Sequence, residues 1–184
     1  MIHLITGGSG SGKSVYAENW LIRQGGREAC GKEKPFLYIA TMRPFGQESR
    51  QKIMRHRNQR AGKGFATLEC YQDLEALEIP ENAGILLECV MNLTANESYR
   101  EDRKDVRAKG EDKVAEKVLE GIRHLSEHTA YLAVVTGQVD GDIDSYSEET
   151  RTYQKILRET NQKIGEMADQ ITEVVYGIPV PVKV

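Results

Sequence analysis

Apolar positions along the chain follow two periods. Met1-Ile2-His3-Leu4-Ile5-Thr6, Phe36-Leu37-Tyr38-Ile39-Ala40-Thr41, Ala83-Gly84-Ile85-Leu86-Leu87-Glu88-Cys89-Val90 and Tyr131-Leu132-Ala133-Val134-Val135-Thr136 are short, nearly continuous apolar runs. Such runs are expected for strands covered on both faces, as in a parallel sheet. Val114, Val118, Ile122 and Leu125 recur at helical spacing, as do Tyr153, Ile156, Leu157, Thr160, Ile164 and Met167, and both sets predict amphipathic helices. A helix is also predicted from about Lys13 through Ile22, with Gly25-Gly26 and Gly31 to Pro35 as the loop after it. Phe65 to Cys70 is a further candidate strand, with a short helix suggested by Leu74 and Leu77. Ile171 to Tyr176 and Val180 to Val184, separated by Gly177 and Pro179, close the chain as two strands near enough to pair as a hairpin. The alternation predicts an α/β fold, a mostly parallel sheet flanked by helices with an antiparallel C-terminal edge.

Two stretches depart from this pattern. Gln47 to about Arg60 is polar and basic, with Ile53 and Met54 as its large apolar residues, so as a helix it would lie on the surface. Glu97 to Asp112 is dense in charge and reads as a solvated or disordered excursion.

Composition narrows the class. The 184 residues, 39% hydrophobic and 29% charged, suit a single domain spanning 1–184, with no internal repeat and no linker. A formal net charge of −3 gives no sign of a nucleic-acid partner or an anionic membrane surface, and no apolar run approaches a membrane span. The first apolar run enters a glycine-rich loop directly, so no signal peptide is expected. Cys30, Cys70 and Cys89 lie far apart without metal-ligand spacing, and Cys70 and Cys89 are expected to be buried thiols. A reduced, cytoplasmic protein is predicted.

The candidate chemistry begins after the first strand. Gly7-Gly8-Ser9-Gly10-Ser11-Gly12-Lys13-Ser14 fits the P-loop pattern G-x-x-x-x-G-K-[ST] at every defined position. Glycines let backbone N–H groups turn inward around phosphates, and the following helix directs its positive end at them. Lys13 supplies a mobile charge for the outer phosphates, and the Ser14 hydroxyl is placed to ligate magnesium. A merely flexible glycine-rich loop would need neither the strand before it nor the helix after it. Glu88 closes an apolar strand where P-loop proteins place the acid that holds magnesium through water; capping a turn or pairing with a base is the other role open to it. His56 lies in Arg55-His56-Arg57-Asn58-Gln59-Arg60, either as part of a solvated basic face or as a nucleophile. On the second reading the neighbouring cations disfavour imidazolium and hold the phosphates it would attack. Asp140, Asp142 and Asp144 alternate like the start of a calcium loop, but Ser145 and Arg151 occupy the positions of its glycine and closing glutamate, so an acidic surface loop, or one near the magnesium, is expected instead.

Taken together, these segments resemble a known family. The P-loop from Thr6, Tyr38-Ile39-Ala40-Thr41, Lys52-Ile53-Met54-Arg55-His56, Thr67-Leu68-Glu69-Cys70, Leu86-Leu87-Glu88-Cys89 and Asn96 keep the spacing of the bifunctional adenosylcobinamide kinase/adenosylcobinamide-phosphate guanylyltransferases of cobalamin biosynthesis. So do Asn161-Gln162, Ala168-Asp169 and Val174-Val175-Tyr176-Gly177-Ile178. The resemblance implies a P-loop NTPase with a RecA-like sheet, assembled as a homotrimer. It implies phosphorylation of the aminopropanol hydroxyl of adenosylcobinamide by ATP or GTP, with Mg2+. It further implies transfer of GMP from GTP onto a histidine, aligned with His56, and then to adenosylcobinamide phosphate. Glu69 aligns with a nucleotide-binding glutamate suited to the N1–H and N2–H donors of guanine; an exposed strand-end carboxylate is the alternative. By the same likeness Ala40-Thr41-Met42 and Arg57 to Arg60 line the nucleotide site.

The chain also departs from the family pattern. Gly137-Gln138-Val139-Asp140 replaces N-E-V-G, and Asp142-Ile143-Asp144-Ser145 replaces G-I-V-P. Of an R-x-F-R-D segment, Arg151 and an aromatic, Tyr153, survive, with Gln154 and Lys155 in place of the charged pair. These changes place any altered activity in the kinase half or the corrinoid specificity before the GTP chemistry. Two other readings of the same P-loop are a simpler small-molecule kinase with His56 as a surface residue, and a nucleotide-dependent regulatory protein without turnover.

Overall fold

The computed structural model describes residues 1–27, 36–80, 83–100, 112–138 and 146–184. Among these, β1 (Ile2–Thr6), β2 (Phe36–Ala40), β3 (Phe65–Glu69), β4 (Gly84–Glu88), β5 (Leu132–Val135), β6 (Gln170–Val175) and β7 (Ile178–Lys183) form a seven-stranded sheet in the order β3-β2-β4-β5-β1-β6-β7. Neighbours are parallel except β6 and β7, which pair as the expected antiparallel hairpin. The helices are α1 (Lys13–Arg27), α2 (Gly46–Arg60), α3 (Val90–Ser98), α4 (Asp112–Glu127) and α5 (Glu148–Met167), with a 3-10 turn at Leu74–Ala76.

The continuous apolar runs are explained by burial on both faces. Ile85 and Leu87 of β4 pack with Leu4, Ile39 and Val134 against Leu93 of α3, Leu119, Ile122 and Leu125 of α4, and Leu157 and Ile164 of α5. Leu86, between them in sequence, faces the other way and packs with Ile5, Tyr38, Ala133 and Val135 against Ala17, Trp20 and Leu21 of α1. Because the strands are parallel, the P-loop after β1, Glu69 at the end of β3 and Glu88 at the end of β4 all emerge at the carboxyl edge of the sheet, where open α/β sheets place their ligands.

Several elements differ from expectation. Helix α1 runs through Gly25-Gly26 to Arg27 instead of ending near Ile22. Gly25 is an approach point for the β2 side chains: a Cβ there would lie 2.6 Å from Cζ of Phe36. The charge-dense stretch starting at Glu97 is not solvated at its beginning. Glu97 is buried in the last turns of α3, where it accepts the Asp73 N–H at 2.8 Å and pairs with Arg100. Strand β7 begins at Ile178 and includes Pro179 and Pro181, which the sheet tolerates because β7 is its edge. Cys30, the loop from Gly31 to Pro35, most of the 97–112 stretch and the acidic residues Asp140, Asp142 and Asp144 lie outside the described residues.

His3 is a polar residue at the centre of this packing. Its Nε2 lies 2.8 Å from the Thr172 hydroxyl, and its ring meets Tyr16 and Trp20 edge-on, with centroids 5.9 and 4.7 Å away. Burial lowers its pKa from 6.5 to about 4. Between those values the unfolded chain takes up a proton that the folded chain refuses, so this stabilisation is complete above pH 6.5 and is lost on acidification towards pH 4. We expect a loss of about 1–3 kcal/mol across that window. Denaturant unfolding as a function of pH should show the slope in the native chain and a shallower one in His3→Leu; equal slopes would contradict this role.

Candidate nucleotide site

The loop that opens the site is shaped by what surrounds it. Gly7 has φ of +148, and a Cβ there would fall 2.5 Å from the Val174 carbonyl and 2.7 Å from the Ser11 hydroxyl, so neither the space nor the backbone suits another residue. The Ser11 N–H closes the loop onto the Gly8 carbonyl at 3.2 Å, and the Tyr16 N–H on Gly12 starts α1. The Lys13 ammonium donates to the Gly8 carbonyl at 2.8 Å, which holds its charge over the loop. The free N–H groups of the first turn of α1 and the helix dipole add to a field that favours anions.

Glu88 stands across from this loop on β4. Its strand end is fixed by Thr41, which is fully buried. The Thr41 N–H donates to the Glu88 carbonyl at 3.0 Å, its hydroxyl accepts the Cys89 N–H at 2.7 Å and donates to the Cys89 carbonyl at 2.8 Å, and its own carbonyl receives the Asn96 amide at 2.8 Å. Thus Thr41 shapes the site through backbone contacts, and its hydroxyl is already engaged. The Glu88 carboxylate accepts the Ser14 hydroxyl, and the same oxygen lies 3.8 Å from Nδ1 of His56. That spacing is a close approach but too long for a hydrogen bond. Among the described residues, His56 Nδ1 and the other Glu88 oxygen are both buried without a hydrogen-bond partner. Burial, followed by the charge of Glu88, raises the Tyr38 hydroxyl far above its ordinary range. Burial likewise pushes the Cys89 thiol up to about 11, so it stays protonated and is no nucleophile at neutral pH.

A hydroxyl and a carboxylate with a spare buried oxygen are hard donors that fit magnesium shared with phosphate oxygens. Among the described residues there is no cluster of three or more His, Cys, Asp or Glu that would hold a metal by itself. Ser14 and Glu88 are therefore the residues that would hold it.

Helix α2 brings His56 to this point, although it has almost no apolar face; Arg60 is its buried residue. Polar contacts dock it. The Arg60 guanidinium lies 3.3 Å from the centroid of the Tyr38 ring. Arg57 donates to Glu69 at 2.6 Å, and the Tyr71 hydroxyl holds the other oxygen of Glu69 at 2.7 Å. Gln59 at 3.0 Å and Lys63 at 2.5 Å both donate to Glu18, which is completely buried in α1. Glu18 went unnoticed in the sequence, although it is a charge placed among the apolar residues Ala17, Trp20 and Leu21. Two of the cations beside His56 in sequence thus have partners of their own, Arg57 on Glu69 and Arg60 over Tyr38, and the imidazole has the Glu88 carboxylate within 3.8 Å.

Between α2 and the strand ends is a cleft lined by Ala40, Met42, His56, Arg57, Arg60, Glu69 and Glu88, all expected from the sequence, together with Tyr38, Ile53, Thr67, Cys89 and Asn92. Asn58 is exposed and does not line it, and Gln59 is occupied by Glu18. Ala40 pairs with both Glu69 on β3 and Glu88 on β4. Strand spacing therefore sets the two carboxylate-bearing backbones about 10 Å apart. Of the departing segment, Gly137 abuts the P-loop: a Cβ on it would lie 3.5 Å from the Gly7 carbonyl and 4.0 Å from Lys13 Cε. Tyr153 packs with the core, and its hydroxyl donates to the Met91 carbonyl at 2.9 Å. Residues 139–145 lie outside the described residues.

Comparison with known proteins gives a consistent result. A family model described as cobinamide kinase / cobinamide phosphate guanyltransferase matches residues 3–182. The bifunctional adenosylcobalamin biosynthesis protein CobU of Escherichia coli is 30% identical over 192 residues, and that of Salmonella typhimurium 27% over 191, each covering 100% of both chains. Among solved structures, the flagellar accessory protein FlaH from Methanocaldococcus jannaschii is similar with a TM-score of 0.48 and 11% identity, over 99% of this chain and 77% of that one.

The buried Glu18 contact can be tested by removing one partner at a time. Lys63→Met strands a buried carboxylate and should cost about 3–5 kcal/mol of unfolding free energy, whereas the double change Glu18→Leu with Lys63→Met should recover most of it. Strictly additive losses in denaturant unfolding would show that the two residues do not act as a pair.

Proposed function

The chain belongs to the cobinamide kinase / cobinamide phosphate guanyltransferase family, and on that premise we propose that it carries GMP on His56 as a covalent intermediate. One observation supports this above others: the His56 ring and the P-loop serine meet on the same carboxylate, Glu88. A nucleophile and a phosphate cradle thereby share one junction, as in-line attack on a bound triphosphate requires.

In this mechanism the backbone of Gly7 to Gly12, with Lys13, holds the outer phosphates of GTP, and the guanosine extends along the cleft towards Glu69. The separation of about 10 Å between the Glu88 and Glu69 strands is on the order of the length from a nucleotide's α-phosphorus to the far edge of its purine. Both Glu69 oxygens already accept a bond, from Arg57 and Tyr71, but each keeps a lone pair for N1–H and N2–H of guanine. With Nδ1 facing Glu88, the lone pair on His56 Nε2 attacks the α-phosphorus. An N–P bond forms as the bond from the α-phosphorus to the bridging oxygen breaks, and pyrophosphate leaves on the P-loop. Magnesium bound at Ser14 and Glu88 would offset charge on that leaving group. A phosphate oxygen of adenosylcobinamide phosphate then attacks the same phosphorus, the N–P bond breaks, and His56 is regenerated. In the kinase reaction the substrate hydroxyl attacks the terminal phosphorus of a triphosphate in the same P-loop.

Incubation with α-labelled GTP and magnesium should give acid-labile, alkali-stable label on the protein, and none on His56→Asn. Equal labelling of the variant would overturn the assignment, and phosphorylated adenosylcobinamide appearing without label on the protein would favour a simple kinase. Glu69→Gln should keep the label but narrow the preference for GTP over ATP by about tenfold or more, read as the ratio of labelling rates.

A further inference from the structure

The β6–β7 hairpin turns through two residues, Tyr176 and Gly177, between the paired Val175 and Ile178. Both have positive φ, +49 and +81. A two-residue turn that matches strand twist requires this, and Asn-Gly or Gly-Gly adopts it with least strain. A tyrosine with its backbone in the left-handed region is an outlier, of the kind that accumulates at ligand-binding points. Packing does not explain it, because Tyr176 is 96% exposed.

The position of the turn does offer an explanation. The Gly177 N–H donates to the Ser11 carbonyl at 2.8 Å, and a Cβ on Gly12 would lie 3.4 Å from the Gly177 Cα. The tip therefore rests on the wall of the P-loop and presents an aromatic ring to solvent there. It lies on the β6 side of β1, whereas the cleft with His56 and Glu69 lies on the β2–β3 side, with β5 and β4 between. Attack by His56 needs the α-phosphorus, and so the base, on the α2 side. Transfer of the terminal phosphoryl group needs the opposite end of the triphosphate at Ser14 and Glu88, with the base leading away.

We propose that Tyr176 is the stacking platform for the purine base of the nucleoside triphosphate that donates the phosphoryl group, a base position separate from the one beside Glu69. The proposal rests on the reading of Gly7 to Ser14 as a triphosphate cradle. A bare ring offers a π face and little hydrogen-bond readout, so this position accepts adenine and guanine alike. Stacking of one base on an aromatic side chain is worth about 5- to 100-fold in affinity on truncation.

The test compares the native chain, Tyr176→Asn and Tyr176→Phe by calorimetric titration with ATP and with inorganic tripolyphosphate, both with magnesium. Asparagine suits the turn better than tyrosine, so this variant should melt no lower than the native chain. We expect Tyr176→Asn to weaken ATP about tenfold or more, to bind tripolyphosphate unchanged, and to label normally with α-labelled GTP, while Tyr176→Phe behaves as the native chain. Unchanged ATP binding in Tyr176→Asn overturns the proposal. So does a parallel loss of ATP and tripolyphosphate, which marks distortion of the P-loop, or an equal loss in Tyr176→Phe, which points to the hydroxyl. A matching fall in GTP labelling overturns the separate position. A native chain that binds neither ATP nor tripolyphosphate overturns the cradle itself, and the proposal with it.

Discussion

A fifteen-residue helix with almost no apolar surface has to be held against the sheet so that its histidine reaches the P-loop. Hydrophobic burial fixes the other described helices; α2 is held by polar and charged contacts. The fully buried Glu18 anchors its C-terminal end through Gln59 and Lys63, Arg60 lies over Tyr38, and Arg57 ties it to Glu69 at the sheet edge. A buried carboxylate held by an amide and an ammonium from another part of the chain is directional in a way that apolar packing is not, and it is costly to leave half-made. The geometry at His56 follows from that anchor.

The second constraint is the economy of the carboxyl edge. Thr41 spends its N–H, carbonyl and hydroxyl on fastening β2 to the chain after β4, and Glu88 is thereby aimed at Ser14 and His56. On the proposed mechanism a single carboxylate serves both the phosphate cradle and the nucleophile, which accounts for two transfer reactions sharing one P-loop. Glu69, on β3 beyond β2, would by the same proposal measure off the nucleoside. The hairpin tip at Tyr176 borders the opposite wall of the loop. Base position, rather than a second phosphate site, would then distinguish phosphoryl from nucleotidyl transfer.

Features set by local sequence were legible in advance. The strand runs, the P-loop, the polar helix and the closing hairpin each carry their signal in consecutive residues, and the resemblance that spans them names the family found by comparison. Features set by distant partners were not legible. Gly25-Gly26 reads as a helix break until the Phe36 ring is seen against it. Glu97 reads as solvated until Asp73 and Arg100 are seen to satisfy it. Glu18 is a single charge on a helix, and its meaning depends on Lys63, forty-five positions away. Arg57 and Arg60 line the cleft as expected, but their partners Glu69 and Tyr38 could not be read from the residues around His56.

The central claim is that His56 lies on the reaction path and is not merely a residue that can be modified. The most direct measurement is a single-turnover chase. Guanylylated protein is freed of GTP, mixed rapidly with adenosylcobinamide phosphate, and quenched over time. The account predicts that label leaves His56 and appears in the corrinoid product at least as fast as steady-state turnover. Label that stays on the protein while turnover with fresh GTP proceeds would contradict it.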